Sequence, residues 1–310
     1  MKKLFKTVLV SLLALGTLAG CSSDSSTSTD RLEQIKERGY IVLGTSPDYA
    51  PNEFYIADEN GDKQIVGSDI ALAQAIADEI GVELKIQESD FNTVILNVQA
   101  GTVDMGISGF AWKAERAEVV NFSVDYSRAA SDSYQGLMIR KEDEGKWADK
   151  DAMKAANIKV GAQNGSIQYN MALTITDEKN IVSLADTTAC AALLSTGDID
   201  AFVCTSPQAL ACMETYDNIM LLPQKDWDMD PDNEYDKTGV IVMKDSSSDS
   251  LLEVIDKVIT DAKTVGDDGL SLLDVWYNEA TDQMPFEIDQ SLLANYEDSE
   301  DYEAGLTTEE

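Results

Sequence analysis

The chain has 310 residues, 57 acidic and 23 basic, with a net charge of −34 at neutral pH and no histidine. So acidic a surface excludes nucleic acid as a natural partner, because phosphate binding needs clustered Lys and Arg. Without imidazole the chain also lacks the commonest general base, the commonest metal ligand and the natural switch near neutral pH.

The length exceeds what one small core takes, so two lobes are expected. Residues 1–20 read as a secretory signal peptide: Lys2, Lys3 and Lys6, then an apolar run, then small residues leading into Leu18-Ala19-Gly20-Cys21. The run is shorter than the about 20 apolar residues that span a bilayer. The last four residues resemble the lipobox of bacterial lipoproteins, in which the chain is cut before a diacylglyceryl-modified Cys. Cys21 is therefore the expected first mature residue and lipid anchor. Each buried acyl methylene is worth about 0.8 kcal/mol, enough for several chains to hold a domain at a membrane. Residues 22–29 are Ser, Thr and Asp alone and read as a flexible tether.

Globular patterning starts at Arg31. Tyr40–Thr45 reads as a buried strand, residues 46–52 as a Pro-bearing loop, and Asn60-Gly61 as a hairpin turn. Apolar residues at helical spacing predict a helix over residues 68–80, stopped by Gly81. A strand over 82–86 and a helix over 91–100 follow. This alternation predicts an α/β fold with mostly parallel sheets flanked by helices. One pattern occurs twice: Gly101-Thr102-Val103-Asp104-Met105 and Gly197-Asp198-Ile199-Asp200-Ala201 both run from a helix stop through a β-branched residue and an Asp into a strand. The echo points to two lobes built on similar βαβ units, with ligand loops at the carboxyl ends of strands. Cys190, Cys204 and Cys212 fit neither a zinc site nor a redox pair and read as small buried apolar residues. Residues 278–310 read as an acidic, peripheral tail.

Several segments together resemble the family-3 extracellular solute-binding proteins, which deliver polar amino acids to ABC importers. They are Gly44-Thr45-Ser46-Pro47-Asp48-Tyr49-Ala50-Pro51-Asn52-Glu53-Phe54, Val66-Gly67-Ser68-Asp69-Ile70, the block from Asp104 through Arg116 to Asn121-Phe122-Ser123, and Val160-Gly161-Ala162-Gln163-Asn164-Gly165-Ser166-Ile167-Gln168. A closing stretch from Asp267-Asp268-Gly269-Leu270 to Trp276 completes the set. The resemblance implies a type II periplasmic-binding-protein-like fold whose hinge is crossed twice, near residues 127–132 and 225–235. Lobe 1 would take residues 31–126 and 236–277, and lobe 2 residues 127–235.

The resemblance also implies a site. Arg116 would grip a carboxylate, with a planar guanidinium that offers paired donors; by composition alone it reads as part of a charged surface turn. Backbone donors would come from Ser108, Gly109, Phe110 and Ala111 and from Ser166 and Ile167, where a helix begins. Ser166 reads equally as an N-cap. Tyr49 and Phe91 would sandwich the solute, though Phe91 reads equally as a core aromatic. Gln168 faces either the cleft or solvent. The bulky Phe110 and Trp112 suggest a tighter, more apolar pocket, or Trp112 caps the loop from outside. Thr205 falls where the family has an acidic anchor for the α-ammonium, and Ser46 where many relatives carry an Asp for cationic side chains.

What this implies is a lipid-anchored monomer on the outer face of a bacterial membrane. It would capture an amino acid or related small carboxylate-bearing solute between closing lobes and deliver it to an ABC permease and ATPase complex. No cofactor, metal or catalysis is expected. The rivals are a cyclohexadienyl-dehydratase-like enzyme on the same fold and an extracellular ligand sensor.

Overall fold

The computed structural model describes residues 30–58, 60–128 and 133–284. The expected leader, Cys21, the tether and residues 285–310 lie outside the described residues, as do residues 129–132 of the expected first crossing.

Local signals build the first run of elements. Asp30 caps α1 (Arg31–Arg38), and Gly39 ends it in the left-handed conformation. β1 (Tyr40–Thr45) is followed by the hairpin of β2 (Phe54–Ala57) and β3 (Lys63–Val66). Its turn is drawn in by Asp58, which accepts from the amides of Asn60 and Asp62. α2 (Ser68–Ile80) buries Leu72, Ala73, Ile76 and Ala77 on one face and stops at Gly81. β4 (Glu83–Glu88), α3 (Phe91–Ala100), β5 (Met105–Gly106), α4 (Ala114–Ala117) and β6 (Val120–Phe122) complete the run.

A second run repeats the scheme with β7 (Gln135–Arg140), α5 (Lys150–Ala156), β8 (Val160–Gln163), α6 (Ile167–Ile175) and β9 (Ile181–Leu184). It continues through α7 (Thr187–Thr196), β10 (Ala201–Thr205), α8 (Ser206–Thr215), β11 (Ile219–Leu221) and α9 (Gln224–Trp227). β12 (Ile241–Met243), α10 (Asp249–Ala262) and α11 (Leu272–Asp282) close the described chain.

The strands form two five-stranded sheets, ordered β4-β1-β5-β12-β6 and β11-β7-β10-β8-β9. The chain therefore leaves the first sheet after β6, builds the whole of the second, and returns at β12. Helices cover both faces of each sheet. On the first, Leu72, Ile76, Ile255 and Ile259 pack on one side and Val94 and Val98 on the other. The molecule is a two-lobed α/β fold. Parallel pairing holds where a helix links neighbouring strands, β1 with β4 and β5, β8 with β9 and β10. One strand in each sheet is reversed, β12 in the first and β7 in the second. Both are the first strands laid down after the chain passes between sheets, where no crossover helix imposes a direction.

The repeated Gly-to-Asp pattern has the same structural job in both lobes. Asp104 accepts from the amide of Val42 on β1 and is held by Arg31 and Arg38. Asp200 accepts from the amide of Lys159, just before β8. Each carboxylate pins its strand to a parallel neighbour, so the loops after β5 and β10 start from fixed points. The three cysteines are buried and unpaired, within one apolar cluster under α7 and α8. The acidic tail begins later than composition suggests. α11 runs to Asp282, and Ala280 and Met284, one turn apart, pack with Phe54. A face that narrow is masked by the surrounding acids.

Candidate functional site

The loops after β1, β5 and β8 and the starts of α6, α7 and α8 converge between the lobes, at the carboxyl ends of their strands. They enclose a cavity of about 70 Å³. Nine of the expected residues line it: Tyr49, Phe91, Ser108, Gly109, Ala111, Arg116, Ile167, Gln168 and Thr205. A larger cavity of about 500 Å³ shares Tyr49, Gly109, Gln135, Tyr235 and Thr238 with it but not Arg116. The guanidinium, with the convergence of helix starts, favours the smaller one as the site.

Arg116 is inward, not part of a surface turn; it is 3% exposed while Lys113, Glu115 and Glu118 around it face solvent or its edge. The short α4 turns it under the preceding loop. Nη1 donates to Ala111 O at 2.6 Å and Nη2 to Gly165 O at 3.0 Å, the second contact reaching the other lobe. The guanidinium carbon lies 5.4 Å from the Phe91 ring centre and 5.5 Å from that of Phe110. Burial pulls its pKa down to about 10, so it stays charged at neutral pH. No carboxylate pairs with it among the described residues, and its Nε meets no acceptor there.

Two expected residues are not brought to the cavity. Phe110 is fully buried and stacks on Phe91, with ring centres 4.8 Å apart, in the core against α3. It fills space behind the wall, so it does not narrow the pocket. Ser166 caps α6, accepting from Tyr169 N and donating to Gln163 O. Trp112 is half exposed and lies outside the lining. Phe91 serves in both of its readings, buried against Phe110 and lining the cavity.

The remaining expected residues are held by specific contacts. Gly109 sits at φ +57, and a Cβ there would come within 2.6 Å of the Tyr49 ring. Glycine thus lets the ring lie flat on the loop. Its amide donates to Asp69 Oδ2 at 3.0 Å. Thr205 begins α8, and its hydroxyl and amide both donate to Gln208 Oε1 at 3.1 Å. Gln168 faces the cleft and donates to Gln135 Oε1 at 2.9 Å.

Sequence reasoning gave no role to two acids at this site. Asp48 reaches the other lobe: its Oδ2 accepts from Gln163 Nε2 and Thr187 N, both at 2.9 Å. Glu53 is fully buried at the wall, where its Oε1 accepts from Ser108 Oγ. The signal for both was there, two acids in a Pro-flanked loop directly after a buried strand. The lobes are in close contact here, since a Cβ on Gly165 would come within 2.7 Å of Asn92 Oδ1.

Residues 41–268 match the model of the bacterial extracellular solute-binding proteins, family 3. The arginine-binding extracellular protein ArtP of Bacillus subtilis (strain 168) is 35% identical over 161 residues, 52% of this chain and 56% of that one. The L-cystine-binding protein TcyJ of Escherichia coli (strain K12) is 24% identical over 50% of this chain and 56% of its own. The chain thus spans about half the length of these curated relatives. Among solved structures, the amino acid ABC transporter substrate-binding protein AbpA from Streptococcus pneumoniae Canada MDR_19A, bound to L-arginine, superposes with a TM-score of 0.68 at 34% identity. That likeness covers 80% of this chain and 97% of AbpA. Holo ArgBP from T. maritima is 28% identical, with a TM-score of 0.61 over 79% of this chain and 99% of its own.

Proposed function

The chain belongs to the family 3 bacterial extracellular solute-binding proteins, and from that premise we propose that it is the substrate-binding component of an ABC importer for an amino acid. The solute enters between the lobes, lies in the cavity beside Arg116, and is handed to a membrane permease when the lobes close over it. Arg116 is the observation that carries the reading. A buried guanidinium without a carboxylate partner among the described residues, set beside the paired rings of Phe91 and Phe110 and tied to both lobes, is a built receptor for a small carboxylate. The backbone amides of the Ser108–Ala111 loop, apart from that of Gly109, which donates to Asp69, and those at the start of α6 would add neutral donors. Tyr49 and Phe91 give the pocket shape.

Capture of this kind is binding without chemistry, and its readout is shape. Lobe 1 would comprise residues 31–126 and 236–277, and lobe 2 residues 127–235, with hinge crossings near 127–132 and 225–235. Ligand that touches both lobes favours the closed form over the open one. A thermal-shift screen against the amino acids should find a stabilising solute, and small-angle scattering should show a smaller radius of gyration when it saturates the protein. A bound solute that leaves the radius unchanged would point to a fixed cleft.

The place of action follows from the first residues. Among the described residues no helix is long and apolar enough to cross a membrane. Residues 1–20 act as the leader, Cys21 carries the acyl chains, and the Ser- and Thr-rich stretch after it spaces a monomeric binding domain off the outer face. Cys21→Ser should move the protein from the membrane fraction to the soluble one on cell fractionation. Full retention of the variant on membranes would exclude lipid as the anchor.

A further inference from the structure

The chain has two Asn-Gly pairs, Asn60-Gly61 and Asn164-Gly165, and the fold treats them oppositely. Asparagine is a thermolabile residue. Its side-chain amide carbon is open to attack by the next backbone nitrogen, and a following glycine, lacking Cβ, leaves that approach unobstructed. At Asn60 the attacking nitrogen is occupied. Gly61 N donates to Asp58 O at 2.9 Å, and Asp58 Oδ1 fixes the turn by accepting from Asn60 N and Asp62 N, both at 2.8 Å.

At Asn164 both reacting groups are available. The residue is exposed, its side chain bonds no described group, and Gly165 N donates to no described acceptor. Only the backbone amide of Asn164 is anchored, to Leu184 O at 2.8 Å. Gly165 itself is fixed by the fold: its φ is +76, and a Cβ there would come within 2.7 Å of Asn92 Oδ1 on the other lobe. The close approach of the lobes thus demands the one residue type that leaves Asn164 unshielded.

We infer that Asn164 is a self-modification site, which closes a succinimide with Gly165 N and opens to isoaspartate, and that the product loosens the contact between the lobes. A bond forms between Gly165 N and Asn164 Cγ, the bond from Cγ to the side-chain nitrogen breaks, and the Gly165 N–H proton leaves with that nitrogen as ammonia. One water then opens the ring. Attack at Cγ returns an ordinary aspartate. Attack at the backbone carbonyl gives isoaspartate, whose main chain runs through Cβ and Cγ and is one methylene longer. That methylene falls inside the turn that Ser166 Oγ closes on Gln163 O, directly before Gly165, whose carbonyl accepts from Arg116 Nη2 at 3.0 Å. The bond from Arg116 across the lobes is therefore what the product disturbs. The modification needs no solute, so it stands apart from the capture reading.

Incubation of the purified protein at mildly alkaline pH, which ionises the attacking amide, followed by peptide mapping, tests the site. The Asn164 peptide should gain the mass of an amide-to-acid exchange about two- to tenfold faster than the Asn60 peptide, the factor that one hydrogen bond at the attacking nitrogen implies. Protein isoaspartyl methyltransferase should label the product. Asn164→Gln should stay unlabelled there, because its longer side chain closes a six-membered ring slowly. The isoaspartate fraction should unfold at a lower temperature than fresh protein. Fresh Asn164→Asp, which adds the charge without the methylene, should match wild type. An Asn164 peptide that converts no faster than that of Asn60 overturns the site, and an isoaspartate fraction with the wild-type unfolding temperature overturns its effect on the lobes.

Discussion

Arg116→Ala should bind the solute about a hundred- to several-thousandfold more weakly than the wild-type chain when measured by calorimetry. The side chain is 3% exposed and loses water on all sides when the lobes meet. A solute carboxylate placed against it is equally desolvated, so removing the guanidinium leaves a buried anion without its counter-ion. Breaking such a pair costs about 3–5 kcal/mol, which sets the range. The same guanidinium donates to Ala111 O and Gly165 O, so some loss of thermal stability is expected too. Arg116→Lys separates the two effects. It keeps the charge but not the planar fork, and should fall between wild type and the alanine variant in affinity. An alanine variant that binds as tightly as wild type would end the carboxylate-clamp reading.

Elements whose signals are local were legible in the sequence. The helices over 68–80 and 91–100 stand at those bounds, because each has its apolar spacing and its Gly stop within the segment. The two-lobed fold was legible from order and resemblance, while the reversed β7 and β12 were not, since strand direction after a crossing depends on the other lobe. At the site the limit was side-chain direction. Ser108 and Gly109 face the cavity and Phe110, next in the chain, turns to α3, a difference that bulk and polarity alone did not order. The inward turn of Arg116 comes from a helix of one turn that composition reads as solvated. Asp48 and Glu53 were hidden for another reason. Their partners, Thr187 and Ser108, lie 139 and 55 residues away, and an acid in a loop looks solvated until the fold supplies the donors.

Asp48→Ala should release the solute roughly five- to a hundredfold faster in stopped-flow dissociation, with the association rate little changed. The carboxylate stands on the lobe 1 loop, and its Oδ2 is filled from lobe 2. Thr187 N and Gln163 Nε2 each donate to Oδ2 at 2.9 Å, and Thr187 Oγ1 donates to the Asp48 carbonyl at 3.1 Å. Thr187 opens α7, so the anion also meets the positive end of that helix. These bonds exist only with the lobes together. Capture by separated lobes precedes them, which leaves the on-rate alone and puts the effect in the off-rate. The size follows from the donors left behind. In the closed form of the variant the Thr187 amide loses its acceptor while buried and Gln163 Nε2 keeps only the longer bond to Ala185 O at 3.3 Å, costing about 1–3 kcal/mol, the quoted range. The full worth of a charged acceptor would overstate it. Burial and the charge of Asp186 push the Asp48 carboxyl above its ordinary range, so part of what the bonds contribute offsets desolvation. Thr187→Val removes only the hydroxyl and should cost less than Asp48→Ala. If Asp48→Ala releases the solute at the wild-type rate, the cross-lobe bonds do not hold the cleft shut.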